Sequence, residues 1–189
     1  MNRTGNGNAL ASLQVQKMTY AGLMLAVAMV LPFVTGQIPQ IGQMLSPMHL
    51  PVLLCGFLCG WPWGMAVGFV SPLLRSVLFG MPAMFPGAVS MAFELAVYGG
   101  LTGFLRRKLA GGKIQIYLTL LIAMIAGRVV WGLVRYVLAG LSGGTFTFDM
   151  FLAGAILNAL PGIALQAVLI PLLVMALEKA GASLNRPQE

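Results

Sequence analysis

Apolar residues fall along this chain as long blocks separated by short polar breaks, not as alternating positions. Alternation would mark strands with one wet face, whereas blocks of this length mark helices in a lipid solvent. The first block runs from about Lys17 to Val34, and a short second from about Met48 to Gly60. The third covers about Trp63 to Leu78, the fourth about Gly87 to Leu105, the fifth about Ile114 to Ala139 and the sixth about Phe148 to Leu177. The pattern predicts an all-α membrane protein, a bundle of six transmembrane helices forming one domain over residues 1–189. Residues 1–14 are polar and are expected to form a disordered or interfacial tail. Lys17 and the apolar run after it, with Ala26 and Ala28, have a faint likeness to a signal peptide, but the run continues to Val34 and reads as a span. At about 1.5 Å per residue the second block falls short of a hydrocarbon layer roughly 30 Å thick, and it carries Pro51. Shortened or proline-interrupted spans in transporters often border a binding site. Trp61-Pro62-Trp63 reads as an interfacial anchor. The sixth block is long enough to tilt, or to bend near Pro161 or Pro171.

Charge orients the bundle. Arg3 and Lys17 stand at the start, and Lys179 and Arg186 at the end. Arg106, Arg107, Lys108 and Lys113 gather in the fourth-to-fifth connection, read as one basic loop, while the loops Thr35–Pro47, Phe79–Pro86 and Gly140–Thr147 carry no Lys or Arg. The positive-inside rule then places both termini in the cytoplasm of a bacterial cell membrane, which an even number of spans requires. Hydrophobic residues make up 59% of the chain and charged ones 8%, which excludes an ordinary soluble domain. The net charge of +7 does not point to nucleic acid, because the basic residues form no single patch. Cys55 and Cys59 share a helix face with no accompanying His, and read as packed thiols, not a metal or redox pair.

Charges inside a membrane are costly and usually face a bundle interior or a cavity. Here they are Arg75, Glu94, Arg128 and Arg135, accompanied by His49, Ser90, Tyr98, Asn158 and the deeper Gln166. With the orientation above, most of them lie in the outer half. Ser90, Glu94 and Tyr98 share one face of the fourth span; Arg128, Trp131 and Arg135 share one face of the fifth. Two arrangements fit. In one, these faces enclose a pocket where arginines bind a carboxylate or phosphate and Trp131 and Tyr98 pack the ligand's apolar part. In the other, Glu94–Arg128 is a buried pair between helices, with Arg75 and Arg135 snorkelling to the interface. His49 serves equally as a ligand contact or an interfacial histidine. Asp149 reads as a charge in the first turn of the sixth helix.

Gly22 and Ala26 form a small pair on the first span, suited either to internal packing or to docking a partner. Ala155 and Ala159 form another on the sixth, suited to internal packing. Gly112-Lys113 is followed by Ile114, and Arg107 stands where a nucleotide-binding loop has its first glycine. No metal-ligand cluster, acid pair or Ser-His-Asp set is visible, so neither a cofactor nor a catalytic role is expected.

Four stretches stand out: Ser46-Pro47-Met48-His49-Leu50-Pro51-Val52, Gly68-Phe69-Val70-Ser71-Pro72-Leu73, Gly80-Met81-Pro82 and Met91-Ala92-Phe93-Glu94-Leu95-Ala96-Val97-Tyr98-Gly99. Together they resemble the substrate-binding S-components of energy-coupling factor (ECF) vitamin transporters. The resemblance, closest to the pantothenate-type branch, implies a membrane subunit that captures a small vitamin-like solute at the outer face. It implies as partners a transmembrane scaffold and two cytoplasmic ATPases, with release by toppling in the lipid bilayer. The family's first helix often carries Ala-xxx-Ala for docking; here Ala21 is followed by Leu25, and Gly22 with Ala26 is the substitute one residue along. With the excess of arginine, pantothenate is the first candidate; folate, queuosine-type and cobalamin ligands are alternatives. The competing functions are a small intramembrane enzyme of lipid or isoprenoid metabolism, and a structural subunit or channel. A channel would need polar residues along the full depth of a span, and the inner halves here are mostly apolar.

Overall fold

A computed structural model of the chain describes residues 3–34, 46–109 and 112–185, with side chains from residue 11 onward. The elements are α1 (Arg3–Val34), α2 (His49–Cys59), α3 (Trp61–Phe79), α4 (Val89–Lys108), α5 (Lys113–Leu141), α6 (Phe148–Ala155) and α7 (Leu160–Lys179). A wide π-type turn, Met84–Ala88, leads into α4, and a 3₁₀ turn, Leu157–Ala159, separates α6 from α7. Among the described residues five stretches are long and apolar enough to cross a membrane: Ala11–Val34, Trp61–Phe79, Met84–Lys108, Lys113–Leu141 and Phe148–Lys179.

α2 is the sixth apolar element, at 11 residues and roughly 16 Å. It is the hub of the bundle, packing on α1, α3, α4 and α7. Every residue of it except Leu50 is buried. A helix wrapped this fully in protein has no need to match the thickness of lipid. Val52, Leu53, Phe57 and Leu58 meet Leu95, Ile116, Ile170 and Val174 around it in one continuous core. Gly60 turns the chain directly from α2 into α3 at φ 97°, a left-handed backbone that a side chain would strain.

α2, α3 and α4 are joined through glycine. A Cβ on Gly64 would strike the backbone of Gly99 and Gly56, one on Gly99 the backbone of Gly64, one on Gly68 that of Leu95, and one on Gly103 that of Trp61. Backbones this close gain dispersion contacts that lipid cannot compete for. The spacing Gly56, Gly60, Gly64, Gly68, with Gly99 and Gly103 opposite, is the signal for it, stronger than the pairs singled out from sequence.

α1 is helical from Arg3, so it includes polar N-terminal residues. The sixth block breaks at Leu157–Ala159, just ahead of Pro161 in the first turn of α7 and close to one of the two bends expected. One expectation changes. The basic residues form no common loop: Arg106, Arg107 and Lys108 are the last turn of α4, and Lys113 opens α5. Arg106 is buried, donating to Gln115 Oε1 at 2.5 Å and to Glu178 at 2.6 Å, and so ties together α4, α5 and α7. Most of the Thr35–Pro47 loop lies outside the described residues.

Beyond α7 the tail turns back over the same end. Leu184 N–H donates to the Leu58 carbonyl, and Asn185 Nδ2 donates to the Gly103 carbonyl.

Candidate functional site

A cavity of about 750 Å³ opens at the end of the bundle opposite Arg106 and the C-terminal tail. Chain direction builds it. The ends of α1, α3 and α5 and the beginnings of α2, α4 and α6 all meet there, and each contributes residues to the wall. Of the residues picked out from sequence, His49, Arg75, Glu94, Arg128, Trp131, Arg135 and Asn158 line it. Tyr98 does not. It is fully buried, its ring against Gly127 and 5.2 Å from the His49 ring, and it supports the floor from behind.

Glu94 is the centre of that floor. Its carboxylate lies 3.0 Å from the Arg128 guanidinium and 3.5 Å from His49 Nε2. The His49 contact is a close approach without hydrogen-bond alignment. One part of each arrangement is present: Glu94 and Arg128 pair, and they do so in the wall of a cavity. Ser90, one turn outward on α4, donates to the Gly87 carbonyl and also lines the space.

Arg75 comes from the last turns of α3, past Pro72. A proline there has no N–H for the Gly68 carbonyl, and the Ser71 hydroxyl donates to that oxygen instead, at 3.5 Å. Arg75 itself is buried. It donates to the Met29 carbonyl of α1 at 2.6 Å, and its guanidinium lies 5.0 Å from the Phe33 ring and 5.2 Å from that of Phe79. Arg75 is therefore held by a carbonyl and two aromatic faces, not by an acid, and does not snorkel outward.

Arg135 stands two turns outward from Arg128 on α5, with its guanidinium 5.7 Å from the Trp131 ring. Trp131 closes this side of the cavity. It packs edge-on to Phe146, beside Phe151, and over Gly154 of α6, where a Cβ would collide with it. Asn158 sits in the 3₁₀ turn that breaks the last span, so the break carries a polar side chain to the cavity.

Sequence reasoning missed much of the wall: Pro32 of α1, the Met81–Ala83 turn, Met91, Phe146 and the α6 residues Met150, Ala153 and Gly154. The Gly80-Met81-Pro82 turn stood out in the sequence as part of the resemblance, not as wall of a cavity. Gln166 is buried away from the cavity. Asp149 stands in the first turn of α6, as expected. Among the described residues no cluster of three or more His, Cys, Asp or Glu could hold a metal ion, and Cys55 and Cys59 are free, buried thiols.

Gly22 and Ala26 lie on the outward face of α1, and a Cβ on Gly22 would meet nothing within 4 Å. The inward face carries Ala21 and Ala28. Ala155, the last residue of α6, and Ala159, the last of the 3₁₀ turn, are both buried.

The family model for the substrate-specific component of ECF transporters matches residues 16–174. No curated protein and no solved structure gives a match.

Proposed function

The chain belongs to the substrate-specific components of ECF transporters, and from that premise we propose that it captures a small anionic vitamin or vitamin precursor in the cavity between α2 and α6. Membership makes it a multi-pass membrane subunit of a transporter, working with ECF scaffold and ATPase partners, and not an intramembrane enzyme. The observation that carries the substrate reading is the wall chemistry: three guanidinium groups, Arg75, Arg128 and Arg135, against one carboxylate, Glu94. Arginine offers a planar fork of donors that fits carboxylate or phosphate. Trp131, Phe146 and the methionines offer apolar surface for the rest of a ligand. The volume is within the ordinary range for sites of vitamin-sized molecules.

The proposed orientation puts the cavity outside and both termini inside, with α2 counted as a sixth, protein-enclosed span. It is supported by the position of Arg106, Arg107, Lys108 and Lys113 at the end of the bundle away from the cavity. Docking on the scaffold would use the outward face of α1 at Gly22 and Ala26, and two ATPases would drive release. Pantothenate is the first candidate by resemblance, with folate beside it.

Arg128→Ala tests the site. It leaves Glu94 with His49 alone and removes a cation from the wall, so tight solute binding is expected to be lost while the protein still folds and purifies. Wild-type affinity in the folded variant would remove Arg128 from the site. Mass spectrometry of small molecules that co-purify with the wild type, and not with the variant, identifies the solute.

A further inference from the structure

We infer that the cavity's occupant carries two acidic groups set apart on an apolar skeleton; this rests on the cavity being the solute site. The inference comes from where the chain's acids are. There are four: Glu94, Asp149, Glu178 and Glu189. Glu94 is matched by Arg128 and His49. Glu178 is bound to Arg106 at the other end of the bundle. Asp149 is exposed in the first turn of α6 and is not part of the wall. Glu189 lies outside the described residues. The segments 35–45 and 110–111, also outside the described residues, contain no Asp or Glu. Arg75 and Arg135 are thus two cations in the cavity wall that form no ion pair with an acid among the described residues.

The two are also apart. α3, which carries Arg75, and α5, which carries Arg135, each pack on α4. Glu94 is on α4, the helix on which both α3 and α5 pack. Two acids, one drawn to each arginine, leave the ligand's middle to Met91 and Trp131. An occupant with two acids gives each of these arginines an anionic partner, and a one-acid occupant such as pantothenate leaves one of them without.

The test begins with compounds extracted from the purified wild-type protein, methylated exhaustively and weighed by mass spectrometry. Methyl esters on two separate acidic groups, located by fragmentation and not both on one phosphate, are the expected result. A bound compound with one acid or none overturns the inference and leaves the solute site standing. The same compound with one acid esterified should bind wild type about 10- to 100-fold more weakly. In Arg135→Gln, which removes a guanidinium that donates to no carbonyl or carboxylate among the described residues, esterification of the acid on that side should change affinity by no more than about twofold. An undiminished penalty in Arg135→Gln, and in Arg75→Gln for the other acid, also overturns it. If nothing elutes, and no member of a panel of apolar mono- and di-acids raises the melting temperature, the solute site itself falls and this inference with it.

Discussion

The two ends of the bundle treat arginine in opposite ways. At one end Arg106 is buried, and its charge is met by the Glu178 carboxylate and the Gln115 carbonyl, while Gln115 in turn donates to the carbonyls of Arg106 and Leu109. At the other end Arg75 and Arg135 stand in a cavity wall with aromatic faces for company and no acid. The backbone differs in step. Towards the Arg106 end α2, α3 and α4 press glycine against glycine, leaving no space. At the cavity end α4 begins from a π-type turn and the last span is broken in two. A charge that the chain pairs with its own acid holds helices together; a charge left without an acid beside open space is available to something that arrives.

The contrast breaks most readily at the glycines. Gly99→Ala puts a methyl into the Gly64 backbone, where no rotamer can relieve it. We expect a loss of stability on the order of 3 kcal/mol or more, read as a collapse of yield and melting temperature in detergent. A variant that melts with the parent would show that α3 and α4 are not in this register. Arg106→Gln should cost about 2 kcal/mol, discounted because Glu178 is partly exposed, with solute affinity of the folded protein unchanged. A fall in affinity as large as that of Arg128→Ala would mean that the ends are coupled. Gly154→Leu acts the other way: its side chain must displace Trp131 from the cavity wall. We expect affinity to fall about tenfold, with stability changed by less than about 1 kcal/mol because Gly154 and the α6 residues just before it are only half-buried. Unaltered binding would exclude the Trp131 side of the cavity from the site.

The sequence displayed the spans and the gathering of charge because both depend on short-range pattern. Blocks of apolar residues and the i, i+3, i+7 spacing of Arg128, Trp131 and Arg135 are local, and their common face is fixed by helix geometry alone. What stayed hidden depends on partners far along the chain. Arg106 read as one more loop cation because Glu178, 72 positions away, is what makes it structural. Tyr98 shares a face with Glu94 but sits one turn deeper, and one turn separates the floor of a cavity from its support. The glycine series was in plain view, yet a small residue becomes a contact only when the opposing backbone is known. Met81 and Met150 joined the site through a turn and a broken span, which periodicity does not describe.

The smallest expected effect on the isolated protein falls at Gly22, and that smallness is its use. Gly22→Leu adds a side chain to the outward face of α1, where nothing of this chain lies within 4 Å. Folding and solute binding should be unmoved, with stability changed by no more than about 0.5 kcal/mol. The inward face gives the control: Ala28→Leu, at a position with no exposure, should destabilise. If Gly22 and Ala26 form the surface that meets the scaffold, Gly22→Leu should abolish co-purification with scaffold and ATPases and stop uptake in cells, because helices that approach across small residues cannot do so across a leucine. Uptake at the parent's rate would move docking to another face. Loss of solute binding in the isolated variant would show instead that α1 transmits to the cavity, for which the contact of Arg75 with Met29 offers a direct route.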